Sequence, residues 1–150
     1  MADPVTASIH IEAPPEVVFE YFTQPDAMVR WMGESALLEP EPGGRFTVDI
    51  GGAPVRGRFL EVEAPHRIVI SWGYAGSETL PPGASTVEVR LVEQSGGTRV
   101  ELEHRDLPPR DARPHAIGWS HYLARLGVAA SGRDPGPDRG MSDKAYAREP

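Results

Sequence analysis

The part of the chain that most restricts the fold runs from Glu34 to about Arg105, where apolar and polar residues alternate with a period of two. Successive side chains of a β-strand point to opposite faces, so this period predicts strands with one buried and one solvated face. Short pieces rich in glycine and proline interrupt the alternation, as turns between strands do. They are Pro42-Gly43-Gly44, Gly51-Gly52-Ala53-Pro54, Ala64-Pro65, residues 76–83 and Ser95-Gly96-Gly97. The pattern predicts an antiparallel meander.

The two faces of the predicted sheet differ in chemistry, as expected when one face packs on a core. The apolar face collects Phe46, Val48 and Ile50; Ile68, Ile70 and Trp72; Val87, Val89 and Leu91; and Val100, Leu102 and His104. The opposite positions carry Glu88, Arg90, Arg99, Glu101 and Glu103. For these charges we expect solvated pairs across neighbouring strands.

A first strand and two short helices precede this region. Residues 5–11 alternate and predict a half-buried strand. Pro14 and Pro15 suit the first turn of a helix that ends near Thr23, and Pro25 opens a second helix that Gly33 ends. The apolar residues at helical spacing are Val18, Phe19 and Phe22 in the first helix and Met28, Trp31 and Met32 in the second.

One long amphipathic helix is predicted from roughly Asp111 to Ser131. Its apolar stripe comprises His115, Trp119, Tyr122, Leu126 and Ala129. Pro114 is compatible with this helix only in the first turn, and Gly132 is a natural end. About twenty residues span roughly 30 Å, enough to cross a whole sheet. A twisted sheet curls, so we expect this helix to cover its concave face and to leave a cavity between them.

Composition excludes several classes of function. Fifteen Lys and Arg stand against 22 Asp and Glu, giving a net charge of -7, so nucleic acid is not an expected partner. The chain has no cysteine, which excludes disulfides, thiolate metal sites and cysteine nucleophiles. The first residues lack the basic and apolar segments of a leader, and no window is long and apolar enough to cross a bilayer. We therefore expect a cytoplasmic protein that does not bind membranes.

Short motifs that imitate catalytic or cofactor sites fail on their spacing. Residues 104–107 (HRDL) imitate the catalytic loop of protein kinases, but Asp111 stands where the magnesium-binding asparagine is required. Ser120 and His121 are neighbours on a helix, so their side chains diverge by about 100° and cannot form a nucleophile–base pair. His115 and His121 are separated by six positions, which is not the spacing of two metal ligands on one helix. We expect neither a metal nor a cofactor.

The residues of the predicted interior form the candidate ligand-binding set, because they combine large apolar surfaces with a few polar tips. They are Phe22, Trp31, Met32, Phe46, Trp72, His104, His115, Trp119 and Tyr122. Two interpretations stay open: plain core packing, or a cavity that binds a hydrophobic or aromatic molecule. We assign no catalytic residue; an alternative is that His104 or His115 shuttles a proton inside the cavity.

Several segments resemble the SRPBCC superfamily of START-like, birch-pollen-allergen-like and polyketide-cyclase-like domains. The most specific are Ala13-Pro14, Trp31, the Glu-x-x-x-Pro-His-x-Ile-x-x-x-Trp run from Glu61 to Trp72, and Gly118-Trp119 with Tyr122-Leu123. Within the superfamily, residues 5–128 are most similar to the family called activator of ninety-kilodalton heat-shock protein ATPase homologue, C-terminal-domain-like.

This resemblance implies an α+β helix-grip fold, in which a curved antiparallel sheet of six or seven strands wraps around a long C-terminal helix. It implies binding of a small molecule, since superfamily members bind sterols, lipids, polyketides, plant hormones or nucleobase-like compounds and some are cyclases. The family name adds a further alternative, a co-chaperone that has a chaperone protein as partner. We expect the domain to occupy residues 1–131. The remainder, 132–150, is rich in Gly, Pro and charge and predicts a disordered tail.

Overall fold

The chain folds into one antiparallel sheet that curls around a long C-terminal helix. The computed structural model describes residues 3–138. Its elements are β1 (Val5–Ile11), α1 (Pro15–Thr23), α2 (Pro25–Met28), β2 (Ser35–Leu38), β3 (Arg45–Ile50), β4 (Ala53–Glu63), β5 (Arg67–Trp72), β6 (Ser85–Gln94), β7 (Gly97–Arg105) and α3 (Pro109–Ala130). The strand order is β1-β7-β6-β5-β4-β3-β2. The predicted fold class, with two short helices after the first strand, is confirmed.

The register of the strands places the predicted apolar residues in rows across the inner face. In one such row Phe59 pairs with Ile70, Ile70 with Val87, Val87 with His104, and His104 with Val5. All five side chains are buried. Because antiparallel pairing aligns residues of like orientation, the period of two fixes this row without reference to α3. The row leaves His104 as a polar group among apolar neighbours.

The two short helices cover one end of the sheet. α1 begins and ends where the sequence predicts, but α2 is a single turn that ends at Met28. Trp31 follows in a turn, where its indole N–H donates to the Tyr21 carbonyl over 2.9 Å. Gly33 then adopts a φ of +89°, and a Cβ there would lie 2.6 Å from Val48 Cγ1. Only glycine satisfies both conditions, so Gly33 has a backbone and a packing reason, but the predicted helix end at this position was wrong because the helix already ends at Met28.

The long helix differs from the prediction at its start. α3 begins at Pro109, two residues earlier than expected, so Pro114 lies in its second turn and the requirement for a first-turn position was wrong. Proline lacks the N–H that would bond to the carbonyl four residues earlier. Burial of the apolar stripe outweighs that one lost bond, because most helix stability in proteins comes from tertiary packing. The predicted end is correct: Gly132 has a φ of +92°, and its N–H donates to the Ala129 carbonyl over 3.0 Å.

The outer face of the sheet also departs from expectation, at Glu88. We expected its carboxylate to be solvated, but Glu88 is only 6% exposed. It accepts from Arg67 over 2.7 Å and lies 2.8 Å from Arg90 and 3.0 Å from Arg105. Burial alone would raise the pKa of Glu88, but these three guanidinium groups outweigh it and lower the pKa. Arginines from three strands therefore surround one carboxylate, which the period of two does not reveal.

A groove of about 500 Å³ lies beside this carboxylate, between β1, β7 and β6. Charged side chains of both signs line it, among them Glu88, Arg90, Arg99 and Glu101. Arg90 lies 2.8 Å from Glu88, and Arg99 lies 3.0 Å from Glu101, so each forms an ion pair within the groove. Because the charges are already paired with each other, the groove has neither the apolar lining nor the single sign of charge that would mark it as a ligand site.

The end of the described chain lies against α3. Arg125 donates to the Gly136 carbonyl over 3.0 Å, and His121 lies 2.9 Å from the Asp138 carboxylate. Of the predicted tail at 132–150, residues 139–150 lie outside the described residues. Within residues 3–138, no helix has the length and hydropathy needed to cross a membrane.

Candidate functional site

The nine sequence-predicted site residues are all buried. Eight of them fall into two groups, the second of which also contains Tyr74, and the ninth is Tyr122. Phe22 and Trp31 contact each other edge to face, with ring centroids 5.2 Å apart, and lie with Met32 under the short helices. The second group lies between the sheet and α3. We call it the Trp72 cluster, and it consists of Phe46, Trp72, Tyr74, His104, His115 and Trp119.

Trp72, the last residue of β5, is the centre of this cluster. Its ring centroid lies 5.8 Å from that of Phe46, 5.7 Å from that of His104 and 5.2 Å from that of Trp119. These distances are typical of favourable aromatic pairs. Strand β5 supplies the indole from one side and α3 supplies Trp119 from the other, so the cluster spans the sheet–helix boundary.

His104 is fully buried and both of its ring nitrogens have partners. The Trp119 indole can only donate, and it lies 3.0 Å from His104 Nδ1, so Nδ1 is the acceptor. The proton is therefore on Nε2, which donates to the Ser85 hydroxyl over 2.8 Å. Ser85 in turn donates to the Trp72 carbonyl over 2.8 Å. This chain of donors holds His104 in one neutral tautomer.

His115 is held in the opposite tautomer. Its Nδ1 lies 2.8 Å from the Asp111 carbonyl, which can only accept, so Nδ1 carries the proton. Its Nε2 then accepts from the Tyr74 hydroxyl over 2.8 Å. The Trp72 indole N–H donates to the same hydroxyl over 3.2 Å. The two imidazole rings are 5.1 Å apart and belong to separate hydrogen-bond chains.

The electrostatics of the cluster favour neutral rings. Burial, with a smaller contribution from the charge of a protonated His115, lowers the pKa of His104 to about 2. Burial also lowers the pKa of His115, although the Asp111 carbonyl and carboxylate act in the opposite direction. Both imidazoles are therefore neutral at physiological pH, and neither has a ring nitrogen left for a substrate.

Two residues of this network were missed by the sequence analysis, and each had a signal. Tyr74 lies two positions beyond Trp72, so it continues the alternation past the end of β5. Ser85 pairs directly with Trp72 across β5 and β6. Nothing in the sequence singles out Ser85, because its role depends on Trp72 and His104, which the strand register places beside it.

Tyr122 was also predicted in the site, and α3 places it three residues beyond Trp119 on the buried face. Its ring packs edge to face against His121, with centroids 4.7 Å apart. The residue is 8% exposed, as is His115. These two are the most exposed of the predicted site residues. Both lie on α3, so the predicted site comes nearest to solvent along this helix.

The connection from β5 to β6, residues 73–84, folds back over the Trp72 cluster. Tyr74 N–H donates to the Leu80 carbonyl over 2.9 Å, and the Leu80 side chain is buried in the core. Gly73 lets the two ends of this loop approach, since a Cβ there would lie 1.8 Å from the Pro81 carbonyl oxygen. We call this segment the β5–β6 loop.

Residues 12–131 match the family described as Activator of Hsp90 ATPase homolog 1-like protein. The chain belongs to this family. The match includes every residue of the Trp72 cluster, so the aromatic network is part of the family domain. No curated protein sequence matches the chain.

Solved structures of similar proteins agree with the family assignment. An AHSA1-like protein from Rhizobium etli is 48% identical, with 91% of this chain and 87% of that chain covered and a TM-score of 0.73. CalU16 from Micromonospora echinospora is 31% identical, with coverage of 85% and 75% and a TM-score of 0.68. An Hsp90 activator from Plasmodium falciparum, 24% identical with coverage of 85% and 95% and a TM-score of 0.70, shares the fold.

Proposed function

We propose that this member of the family binds a hydrophobic or aromatic small molecule between the sheet and α3, against the Trp72 cluster. The observation that carries the proposal is the separation of polar from apolar surface in that cluster. The polar atoms of Trp72, Tyr74 and His115 bond to one another, so a guest that displaces a neighbouring ring meets apolar ring faces. A site of this kind favours an uncharged ligand with a large apolar surface.

Burial of apolar surface supplies the binding energy in this proposal. Each Å² of apolar surface removed from water contributes roughly 25 cal/mol, so a two-ring aromatic ligand gains several kcal/mol before the cost of association. Because the aromatic rings of the cluster are already in contact, a ligand must also displace some of them. The β5–β6 loop is the segment that yields in this proposal, since it contains three glycines and two prolines and has few buried apolar side chains.

Proton transfer by His104 or His115 is the weaker alternative. A general base must reach the proton that it abstracts, whereas all four imidazole nitrogens are engaged within the cluster. The lowered pKa of each histidine also keeps the ring neutral, so neither is a ready acid at physiological pH. The geometry therefore favours binding over catalysis.

The family description favours a second candidate, stimulation of an Hsp90 ATPase through an outer surface. This function needs no internal ligand and is independent of the Trp72 cluster. It is tested by measuring the turnover of an Hsp90 ATPase with and without the purified chain. A chain carrying Trp72→Leu serves as a control, because surface-mediated stimulation survives that change as long as the domain is folded.

Indole N–H resonances test the binding proposal directly, since the chain has three tryptophans in two environments. Naphthalene is added to ¹⁵N-labelled protein. The signals of Trp72 and Trp119 are expected to shift in a saturable way, whereas that of Trp31, under the short helices, stays in place. Shifts confined to Trp31 or to the outer sheet face, or no saturable shift at all, would overturn the proposal.

A matched pair of variants provides the second arm of this test. Trp72→Leu and Trp31→Leu each remove one buried indole, but only the first lies in the proposed site. Trp72→Leu is expected to weaken naphthalene binding at least tenfold, as loss of an aromatic anchor does. Trp31→Leu is expected to leave the affinity within about twofold. Both are measured under conditions where unfolding curves show that the variants are folded.

A further inference from the structure

One buried polar atom near the Trp72 cluster has not found a partner within the protein. Among the residues that the structure describes, Asp111 Oδ2 is the buried side-chain oxygen without any hydrogen bond. Buried polar groups in folded proteins are paired in the great majority of cases, so each exception calls for an explanation. A carboxylate oxygen is the most demanding such group, because it carries charge and can only accept.

The position of Asp111 on α3 relates this atom to the proposed site. Asp111, His115 and Trp119 follow one another at intervals of four residues and therefore lie on the same face of the helix. That face is the one packed on the sheet, since His115 and Trp119 are buried. The main chain confirms the alignment, because the Asp111 carbonyl accepts from His115 Nδ1 over 2.8 Å.

The direction of the side chain places the carboxylate at the edge of the cluster. Side chains on a helix lean towards its N-terminus, so the carboxylate lies on the N-terminal side of His115. His115 contacts Tyr74 of the β5–β6 loop, with a 2.8 Å hydrogen bond between Nε2 and the hydroxyl. Asp111 therefore lies one helical turn from a contact with the β5–β6 loop, the segment expected to move when a ligand enters.

Two donors close to Asp111 are already used in other hydrogen bonds. The His115 Nδ1 proton is committed to the Asp111 carbonyl, and the Tyr74 proton is committed to His115 Nε2. The nearby arginines at positions 110 and 113 are exposed, on the outer face of the helix. None of these groups bonds to Asp111 Oδ2, so a donor on a water molecule or on a ligand would satisfy it.

We propose that Asp111 Oδ2 is the polar anchor of the ligand site and accepts a hydrogen bond from a hydroxyl or amine N–H on an otherwise apolar ligand. This inference rests on the proposed function and narrows it from hydrophobic molecules in general to those with one terminal donor. In this proposal the aromatic cluster supplies the affinity for the apolar part of the ligand. The hydrogen bond to Asp111 sets the orientation of the bound ligand, with its donor group towards Asp111. A ligand with a terminal carboxylate is disfavoured, because it would place a second group that can only accept against the Asp111 carboxylate.

Naphthalene and 2-naphthol provide a matched pair of probes, since they differ only by one hydroxyl group. Affinities are measured at neutral pH by tryptophan fluorescence and by the indole N–H shifts. The wild-type chain is expected to bind 2-naphthol at least tenfold more tightly than naphthalene, the order of effect for a hydrogen bond to a charged acceptor. This preference should fall to about threefold in Asp111→Asn, which keeps an acceptor oxygen, and to near unity in Asp111→Ala.

Glu16→Ala is the control for loss of a first-turn carboxylate, because Glu16 occupies the first turn of α1 and is exposed. It should retain the full preference for 2-naphthol. Equal affinity for the two probes in the wild-type chain, or a preference that survives in Asp111→Ala, overturns the role of Asp111 while the apolar site stands. Absence of binding by both probes overturns the proposed function and this inference together.

Discussion

The indole N–H of Trp119 donates to His104 Nδ1 over 3.0 Å, and this bond links the middle of α3 to the last residues of β7. It is a bond between two buried side chains, so either one left alone becomes an unpaired polar group in an apolar surrounding. The bond also decides the protonation of His104, because an indole cannot accept. The contact between Trp119 and His104 therefore affects three properties of the interior: how α3 packs on the sheet, which tautomer His104 adopts, and how stability responds to pH.

Trp119→Phe is expected to lower the free energy of unfolding by about 1–3 kcal/mol, because it leaves the His104 acceptor buried and unpaired. Unfolding in urea measures this cost. His104→Leu should cost a similar amount, since it leaves the Trp119 donor unpaired. The double variant is expected to cost less than the sum by at least about 0.5 kcal/mol, as for two groups in one hydrogen-bond network. Strict additivity would show that the bond does not form in solution.

Stability is expected to fall as the pH decreases below about 6.5, the ordinary value for histidine. Burial depresses the folded-state pKa of His104 and His115, so at pH below 6.5 the unfolded chain binds more protons than the folded chain. The free energy of unfolding then declines by roughly 1 kcal/mol per pH unit for His104, and the lowered pKa of His115 adds a contribution of the same sign. Urea unfolding between about pH 7.5 and 5 measures this slope.

His104→Gln removes the group with the more strongly lowered pKa and should reduce that slope by about half or more, whatever its effect on stability at neutral pH. His10→Gln is the control, because His10 lies on an exposed position of β1. A slope that is unchanged in His104→Gln would mean that the protonation of His104 is not coupled to folding.

Glu88→Gln is expected to destabilise the fold by about 1–3 kcal/mol, because it removes the charge that three arginines share. The cost is smaller than for a fully buried pair, since the arginines can turn towards water. Glu101→Gln, whose side chain is 45% exposed and pairs with Arg99, should cost less than about 1 kcal/mol. Equal costs for the two variants in urea unfolding would contradict the special position of Glu88.

Gly73→Ala is expected to displace the β5–β6 loop and to lower stability by about 1–3 kcal/mol, as overpacking does. The added Cβ would lie 1.8 Å from the Pro81 carbonyl oxygen, so backbone must move. Hydrogen exchange at the Tyr74 amide, which bonds to the Leu80 carbonyl, should become faster. Ala75→Gly changes loop flexibility without overlap and should cost less than about 1 kcal/mol. Unaltered exchange in Gly73→Ala would indicate that the loop does not depend on this contact.

The sequence by itself determined the sheet, the long helix and the set of residues that face the interior. A period of two in strands and of 3.6 in helices fixes which side chains share a face, and this information is local. For that reason the burial of Trp72, His104 and Trp119 could be predicted before any contact between them was known. The family resemblance then fixed how these elements are arranged.

Only the tertiary structure decided which of the inward-facing residues meet. The partners of His104 come from α3 and β6, and the three arginines around Glu88 come from three strands, so no local pattern records them. Pro114 is tolerated in the second turn of α3 for the same reason, because the energy that holds the helix comes from its packing on the sheet. Residue type and spacing specify which side chains face the interior. The hydrogen bonds and tautomers of these side chains, and the unpaired oxygen of Asp111, depend on which residues of the other elements lie opposite them.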